Sequence, residues 1–205
     1  MITFCRICAL SLALTSIVSS AGEATSPSKV VEAPAFVSEN EAAILKKIQE
    51  QTTRDRTLEK AAQFLLSQQN ANGAFGKYFP TAITGLAIMA LMATGHTPDD
   101  PIYGPAIRRG IEYVLSCMRD DGYFASKDNS HMYGHGICAL MLTEAACMTR
   151  DKLLERRLIE ACKRAIKLIL DAQAISKNKD MHGGWRYYPD SKDSDLSLTG
   201  WQIMA

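Results

Sequence analysis

Apolar residues along this chain recur at helical spacing in blocks. Each block is followed by a Gly-bearing break and then by a more continuously apolar run. The first block places Leu58, Ala61, Ala62, Leu65, Leu66 and Gln69 on one stripe. Asn70-Ala71-Asn72-Gly73 follows as turn chemistry, and Thr81 to Thr94 is then apolar on nearly every face, with Gly95 as its stop. The second block begins after the breaker Pro98-Asp99-Asp100-Pro101, with Pro105 suited to a first helical turn. Ile107, Ile111, Val114, Leu115 and Met118 form its stripe. Asp120-Asp121-Gly122 makes the turn, and Met132 to Met148 is the second apolar helix, weakened at Gly134 and Gly136. The third block is the long amphipathic stretch Asp151 to Ala174, striped by Leu154, Leu158, Ala161, Ala165, Leu168 and Ile169. A longer polar loop, 175–194, leads to an apolar run that has barely begun at Ala205. The pattern predicts an all-α domain over 38–205, partial and continuing beyond the C-terminus.

Upstream, Ser38-Glu39-Asn40-Glu41 is a capping-box pattern and predicts a helix running to about Gln51. Residues 22–37, rich in Ser, Pro, Ala and Glu, read as a flexible linker. Residues 1–21 combine Arg6 and the amino terminus, the apolar run Ile7 to Val18, and Ser19-Ser20-Ala21. They read as a signal peptide cleaved after Ala21, and so predict an exported protein, periplasmic or extracellular.

The blocks align with one another. Phe64-Leu65, Gln69, Gly73-Ala74-Phe75 and Thr84-Gly85 match Tyr113-Val114, Met118, Gly122-Tyr123-Phe124 and His135-Gly136. The third set is Leu168-Ile169, Gln173, Gly183-Gly184-Trp185 and Thr199-Gly200. Gly73, Gly122 and Gly183 stand where the chain must reverse after a helix, which favours a residue that tolerates positive φ. Phe75, Phe124 and Trp185 can pack over the helix just left, and Gln69 and Gln173 can bond backbone groups of the turn or the next helix. These are structural repeat positions, fasteners between repeats. Gly85, Gly136 and Gly200 either let helices approach closely or leave room for a ligand.

Composition adds limits. Apolar residues are 47% and charged residues 22%, ordinary for a globular protein, and the net charge of +1 gives no electrostatic reason to expect nucleic acid or an anionic membrane. Cys117, Cys138, Cys147 and Cys162 each fall in an apolar helical pattern and read as small buried hydrophobes; no bridge is assigned.

Lys60 to Phe75, Arg109 to Phe124 and Arg164 to Trp185 resemble the QW repeat of squalene and oxidosqualene cyclases, within the wider prenyltransferase and squalene-oxidase repeat superfamily. The second unit departs with Met118 in place of Gln, and the third carries an enlarged loop. The resemblance implies an α/α toroid of repeated helical hairpins, an incomplete ring here, with inner helices at Thr81–Thr94, Met132–Met148 and from Asp195 onward. It also implies a terpene-cyclase-like protein that cyclises or binds an isoprenoid or other apolar ligand, without a cofactor.

Squalene-hopene-type cyclases carry D-x-D-D-T-A at the start of an inner helix, and their middle Asp protonates an alkene. Asp193-Ser194-Asp195 partly resembles it. In one register Asp195 is the acid, with Leu196 in place of the final Asp. In the other, set by Thr199-Gly200, Ser197 occupies the acid's place. A helix cap is the competing role for Asp193 or Asp195. His131 and His135 share a helix face without a third metal ligand nearby, and His135 stands at the Thr84 and Thr199 position, as a structural or cavity-lining group. Arg186 and Tyr187, in His182-Gly183-Gly184-Trp185-Arg186-Tyr187-Tyr188-Pro189, are candidate contacts for a polar or sugar-like ligand. Two further functions stand beside the cyclase: a non-catalytic exported scaffold that binds protein or carbohydrate, and a hydrolase or lyase on a related α/α barrel. A protein or a membrane surface is a candidate partner.

Overall fold

A computed structural model of the chain describes residues 39–125 and 127–205. The expected signal peptide and linker, and Ser38, lie outside the described residues. Those residues form α1 (Glu39–Ser67), α2 (Pro80–Ala93), α3 (Gly104–Cys117), α4 (His131–Met148), α5 (Lys152–Ala174) and α6 (Leu196–Met204), with a 3₁₀ turn at Lys179–Met181 and no strand among them. None of these helices is long and apolar enough to cross a membrane. The arrangement below is that of the unit Ile44–Ala205.

The all-α reading and the helical hairpins hold, with one difference. The helix expected to end near Gln51 runs on unbroken into the first repeat. No Gly or Pro interrupts 51–58. Thr52, Thr53 and Thr57 turn their hydroxyls onto carbonyls four residues back, at Ile48, Gln49 and Thr53, where they accompany the helix and do not break it.

Helix ends follow the local chemistry. Gly95, at φ 95°, closes α2: its amide donates to the Met92 carbonyl, and the His96 amide donates to that of Leu91. Asp151 caps α5 by accepting from the amides of Leu153 and Leu154. The N-terminus of α2 carries no side-chain cap of its own. Asp128, from the next repeat's loop, accepts from the Thr81 amide at 2.6 Å, and the Tyr187 carbonyl accepts from the Met132 amide of α4 at 3.0 Å. Each of these two inner helices is therefore finished by the repeat that follows it.

Inner helix α4 lies against both α2 and α6. Outer helix α3 packs on α2 and outer helix α5 on α4, so each outer helix covers the inner helix of the repeat before it. The core sits between these layers, with Ile88, Leu91, Ile107, Ile111, Phe124, Met141, Leu142 and Leu158 closed to solvent. Gly73 (φ 89°) and Gly122 (φ 90°) make the expected reversals, and each lies on the backbone of the next outer helix. A Cβ on Gly73 would come within 2.4 Å of the Arg109 carbonyl oxygen, and one on Gly122 within 2.6 Å of that of Arg164. Those two carbonyls occupy the same register of the repeat.

Gln69 fastens two repeats. Its amide nitrogen donates to the carbonyls of Gly73 and Ala106, and its oxygen accepts from Arg109. Gln173 repeats the local half of this, donating to the Gly183 carbonyl at 3.1 Å. Phe75, Phe124 and Trp185 are buried, and the indole N–H of Trp185 donates to the Ile169 carbonyl at 2.8 Å. Cys117, Cys138 and Cys162 are free and buried, whereas Cys147, also free, is exposed.

Candidate functional site

Although α2 is apolar almost all round, it is not buried all round. Ile83 and Leu86 are each 38% exposed on the face turned away from α3 and the core. At the N-terminal ends of α2 and α4 this face deepens into a cavity of about 680 Å³. Phe79, Ala82, Ile83, Tyr133, Ile137 and Tyr187 supply its apolar wall, and Asn129, Ser130 and His131 its polar edge. Pocket walls of this composition, mostly apolar with a few polar groups, suit an apolar ligand.

The backbone around the cavity is strained. Phe79 (φ 49°), Asn129 (φ 58°) and His131 (φ 54°) are non-glycine residues held in the left-handed region, and all three line the cavity. Asp128 anchors this corner, accepting from the Thr81 amide and from both the amide and hydroxyl of Ser130. Burial pushes the Asp128 carboxyl up, but those hydrogen bonds outweigh it and hold it below its ordinary value. The His131 ring meets Tyr188 edge-on at 4.7 Å and Tyr187 at 6.1 Å. On its other side His131 borders a more polar hollow of about 550 Å³, lined also by Arg119, Asp121, Asp190 and Tyr188.

Sequence reasoning named Tyr187 here but missed Phe79, Tyr133, Ile83 and Ile137. Phe79 is marked only by the Pro80 after it, and Tyr133 sits among small and apolar residues that read as core. Which face of an all-apolar helix is left open depends on the neighbouring helices, not on its own period.

His135 is placed otherwise than a cavity-lining role requires. It is fully buried, its Nε2 lies 3.2 Å from the Ala165 carbonyl, and its ring packs beside Tyr123 and Phe124. Burial lowers its pKa to about 4, and so keeps the ring neutral. It stands where Thr84 accepts from the Phe75 amide at 2.8 Å and Thr199 from the Trp185 amide at 3.2 Å. With His131 turned to the tyrosines and His135 in the core, the two imidazoles do not converge. No group of three or more metal-ligating side chains is found among the described residues.

Asp195 caps α6, accepting from the Leu198 amide at 2.8 Å, and it also accepts from Ser197 (2.8 Å) and Arg186 (2.6 Å). Burial raises its pKa, but these three donors together hold the carboxyl below the ordinary range. That is the reverse of what an alkene-protonating acid needs, a proton retained until the substrate takes it. Arg186 is occupied by this pairing and by Asp193 at 3.4 Å, with its guanidinium 4.7 Å from the Tyr187 ring centre. It is held by two carboxylates and an aromatic ring. Ser197 also bonds the Tyr133 hydroxyl, so a hydrogen-bonded line runs from Asp195 through Ser197 to the cavity wall.

The family model described as squalene-hopene cyclase N-terminal domain matches residues 17–122, just over half of the chain. The chain belongs to this family. No curated protein matches it. The match covers the first repeat and the second as far as Gly122. The third repeat, with Arg186, Asp193 and Asp195, lies beyond it.

Proposed function

We propose that this squalene-hopene-cyclase-like chain holds an isoprenoid or similar apolar polyene against the inner face of its helical hairpins. The observation that carries this is the cavity walled by Phe79, Ile83, Tyr133, Ile137 and Tyr187. Ring faces of Tyr and Phe attract positive charge, so the same wall would favour a carbocation formed on a bound polyene. In a cyclisation, proton release at the end is the step Asp195 suits, as a carboxylate reached from Tyr133 through Ser197. Proton donation at the start is the step it does not suit.

The test uses squalene as the probe. Its retention by the full chain is measured, together with cyclised products by gas chromatography, in wild type and in Tyr133→Ala, Tyr187→Ala and Asp195→Asn. Retention should fall about tenfold, a loss of roughly 1.4 kcal/mol, in each Tyr variant. Asp195→Asn should still retain squalene. Unchanged retention in both Tyr variants would remove the cavity from the reading. Cyclised product at the wild-type level from Asp195→Asn would remove that carboxylate from the chemistry.

A second reading, a non-catalytic exported scaffold for protein or carbohydrate, is favoured by the polar hollow at Arg119, Asp121, His131 and Asp190. It predicts no retention of squalene.

A further inference from the structure

We infer that the ligand of this chain is an amphiphile, with an isoprenoid body in the apolar cavity and an uncharged, hydroxyl-bearing head in the polar hollow beside it. This rests on the reading that the apolar cavity holds an isoprenoid, and it adds the other end of the molecule.

Two residues join the two spaces. Asn129 and His131 line both the apolar cavity of about 680 Å³ and the polar hollow of about 550 Å³, so the two adjoin along one edge. The third repeat completes that edge with consecutive side chains, Tyr187 in the apolar wall and Tyr188 in the hollow. The His131 ring stands edge-on to both. Backbone holds the edge in place. The Tyr187 carbonyl accepts from the Met132 amide at 3.0 Å. Ser191 fixes the next turn: its amide donates to the Tyr188 carbonyl and its hydroxyl accepts from the Tyr188 amide, each at 3.1 Å. The stretch from Trp185 to Thr199 is longer than its counterparts, Phe75 to Thr84 and Phe124 to His135. The extra length carries Tyr188 and Asp190 to the start of α4.

The polar groups of the hollow select the head. Arg119 donates to Asp121 at 2.5 Å, and its guanidinium lies 5.7 Å from the Tyr123 ring centre. Asp190 borders the same space and has no ion-pair partner among the described residues. A hydrocarbon end would strip water from these groups and return no hydrogen bond. A diphosphate or carboxylate would meet two carboxylates and one guanidinium that is already paired. An ammonium can only donate, and leaves the N–H groups of Arg119 and Asn129 without an acceptor. A hydroxyl does both: it donates to Asp190 and accepts from Arg119 or Asn129. The mixed set of donors and acceptors therefore fits an alcohol or polyol.

Three radiolabelled probes with the same isoprenoid skeleton test this by equilibrium retention on the full chain: phytane, geranylgeraniol and geranylgeranyl diphosphate, each carried in the same detergent. Geranylgeraniol should be held at least about tenfold more tightly than phytane, and the diphosphate more weakly than the alcohol. Arg119→Ala and Asp190→Ala should each remove most of the alcohol's advantage and leave phytane unchanged. Both side chains are exposed, so neither change disturbs the fold. Tyr133→Ala, on the apolar side, should weaken phytane and geranylgeraniol by the same factor. Phytane and geranylgeraniol held alike would overturn the head site and leave the apolar cavity standing. An alcohol advantage that persists in both hollow variants would place the hydroxyl elsewhere and overturn it too, as would a diphosphate held most tightly of the three. Retention of neither phytane nor geranylgeraniol would remove the apolar cavity reading, and this inference with it.

Discussion

A single residue, His135, separates the second repeat from its neighbours. Threonine at this position in the first and third repeats serves the amide of the loop aromatic. The imidazole instead fills core space beside Tyr123 and Phe124 and reaches across to Ala165. Its burial has a pH signature. Burial lowers its pKa from the ordinary 6.5 to about 4, against the smaller opposing effects of the Ala165 carbonyl and of Asp121. Above pH 6.5 both folded and unfolded chains hold it neutral, and it contributes no slope. Between 6.5 and about 4 only the unfolded chain binds the proton, so stability falls as the pH drops, by about 3 kcal/mol over that interval. His135→Thr, which restores the repeat's own residue, should remove this dependence. Urea midpoints at the two ends of the interval would check it. An equal loss in wild type and variant would assign the slope to other groups. The repeat alignment exposed His135 as an exception in the sequence. Its inward orientation was not legible there, because Thr and His at one helix position share a direction but not a reach.

At the scale of elements, the turn that joins an outer helix to its inner helix is the part most fully legible beforehand. Gly73, Gly122 and Gly183 were marked by their place after an amphipathic helix, and each adopts positive φ. The sequence could not show that two of them also press on a neighbouring helix while the third does not. Two alanine substitutions separate these effects. Gly183→Ala meets only the left-handed backbone penalty, about 1 kcal/mol. Gly73→Ala meets that penalty and a clash with backbone at the Arg109 carbonyl, and should cost about 3 kcal/mol or more. Denaturant titration of the two variants reads the difference directly. Equal losses would mean that the α3 backbone can yield at this point, and Gly73 would then be a turn residue without a role between repeats. The inner face was less legible than the turns. An apolar helix such as α2 presents no polar stripe to mark its open side, so Phe79 and Tyr133 reached the cavity unannounced.

For the whole molecule, the repeat pattern set both the order of the helices and the layer each belongs to, because the same stripe meets the same kind of neighbour each time. The pattern did not reveal how unevenly the repeats depend on one another. Helix α4 touches α2, α5 and α6, and Met132, Cys138, Ala139, Met141, Leu142 and Ala145 on it are fully closed to solvent. A cavity at Leu142 should therefore weaken all three repeats together, by about 3 kcal/mol. Two probes see different parts of this. Both tryptophans, Trp185 and Trp201, lie in the third repeat, so fluorescence reports that repeat, while far-ultraviolet circular dichroism reports every helix. In Leu142→Ala the two midpoints should fall in step, since nearest-neighbour coupling through α4 joins the first repeat to the third. If the fluorescence transition keeps its wild-type midpoint while the circular dichroism splits, the third repeat is held by α5 and its own loop, and α4 does not act as the common core.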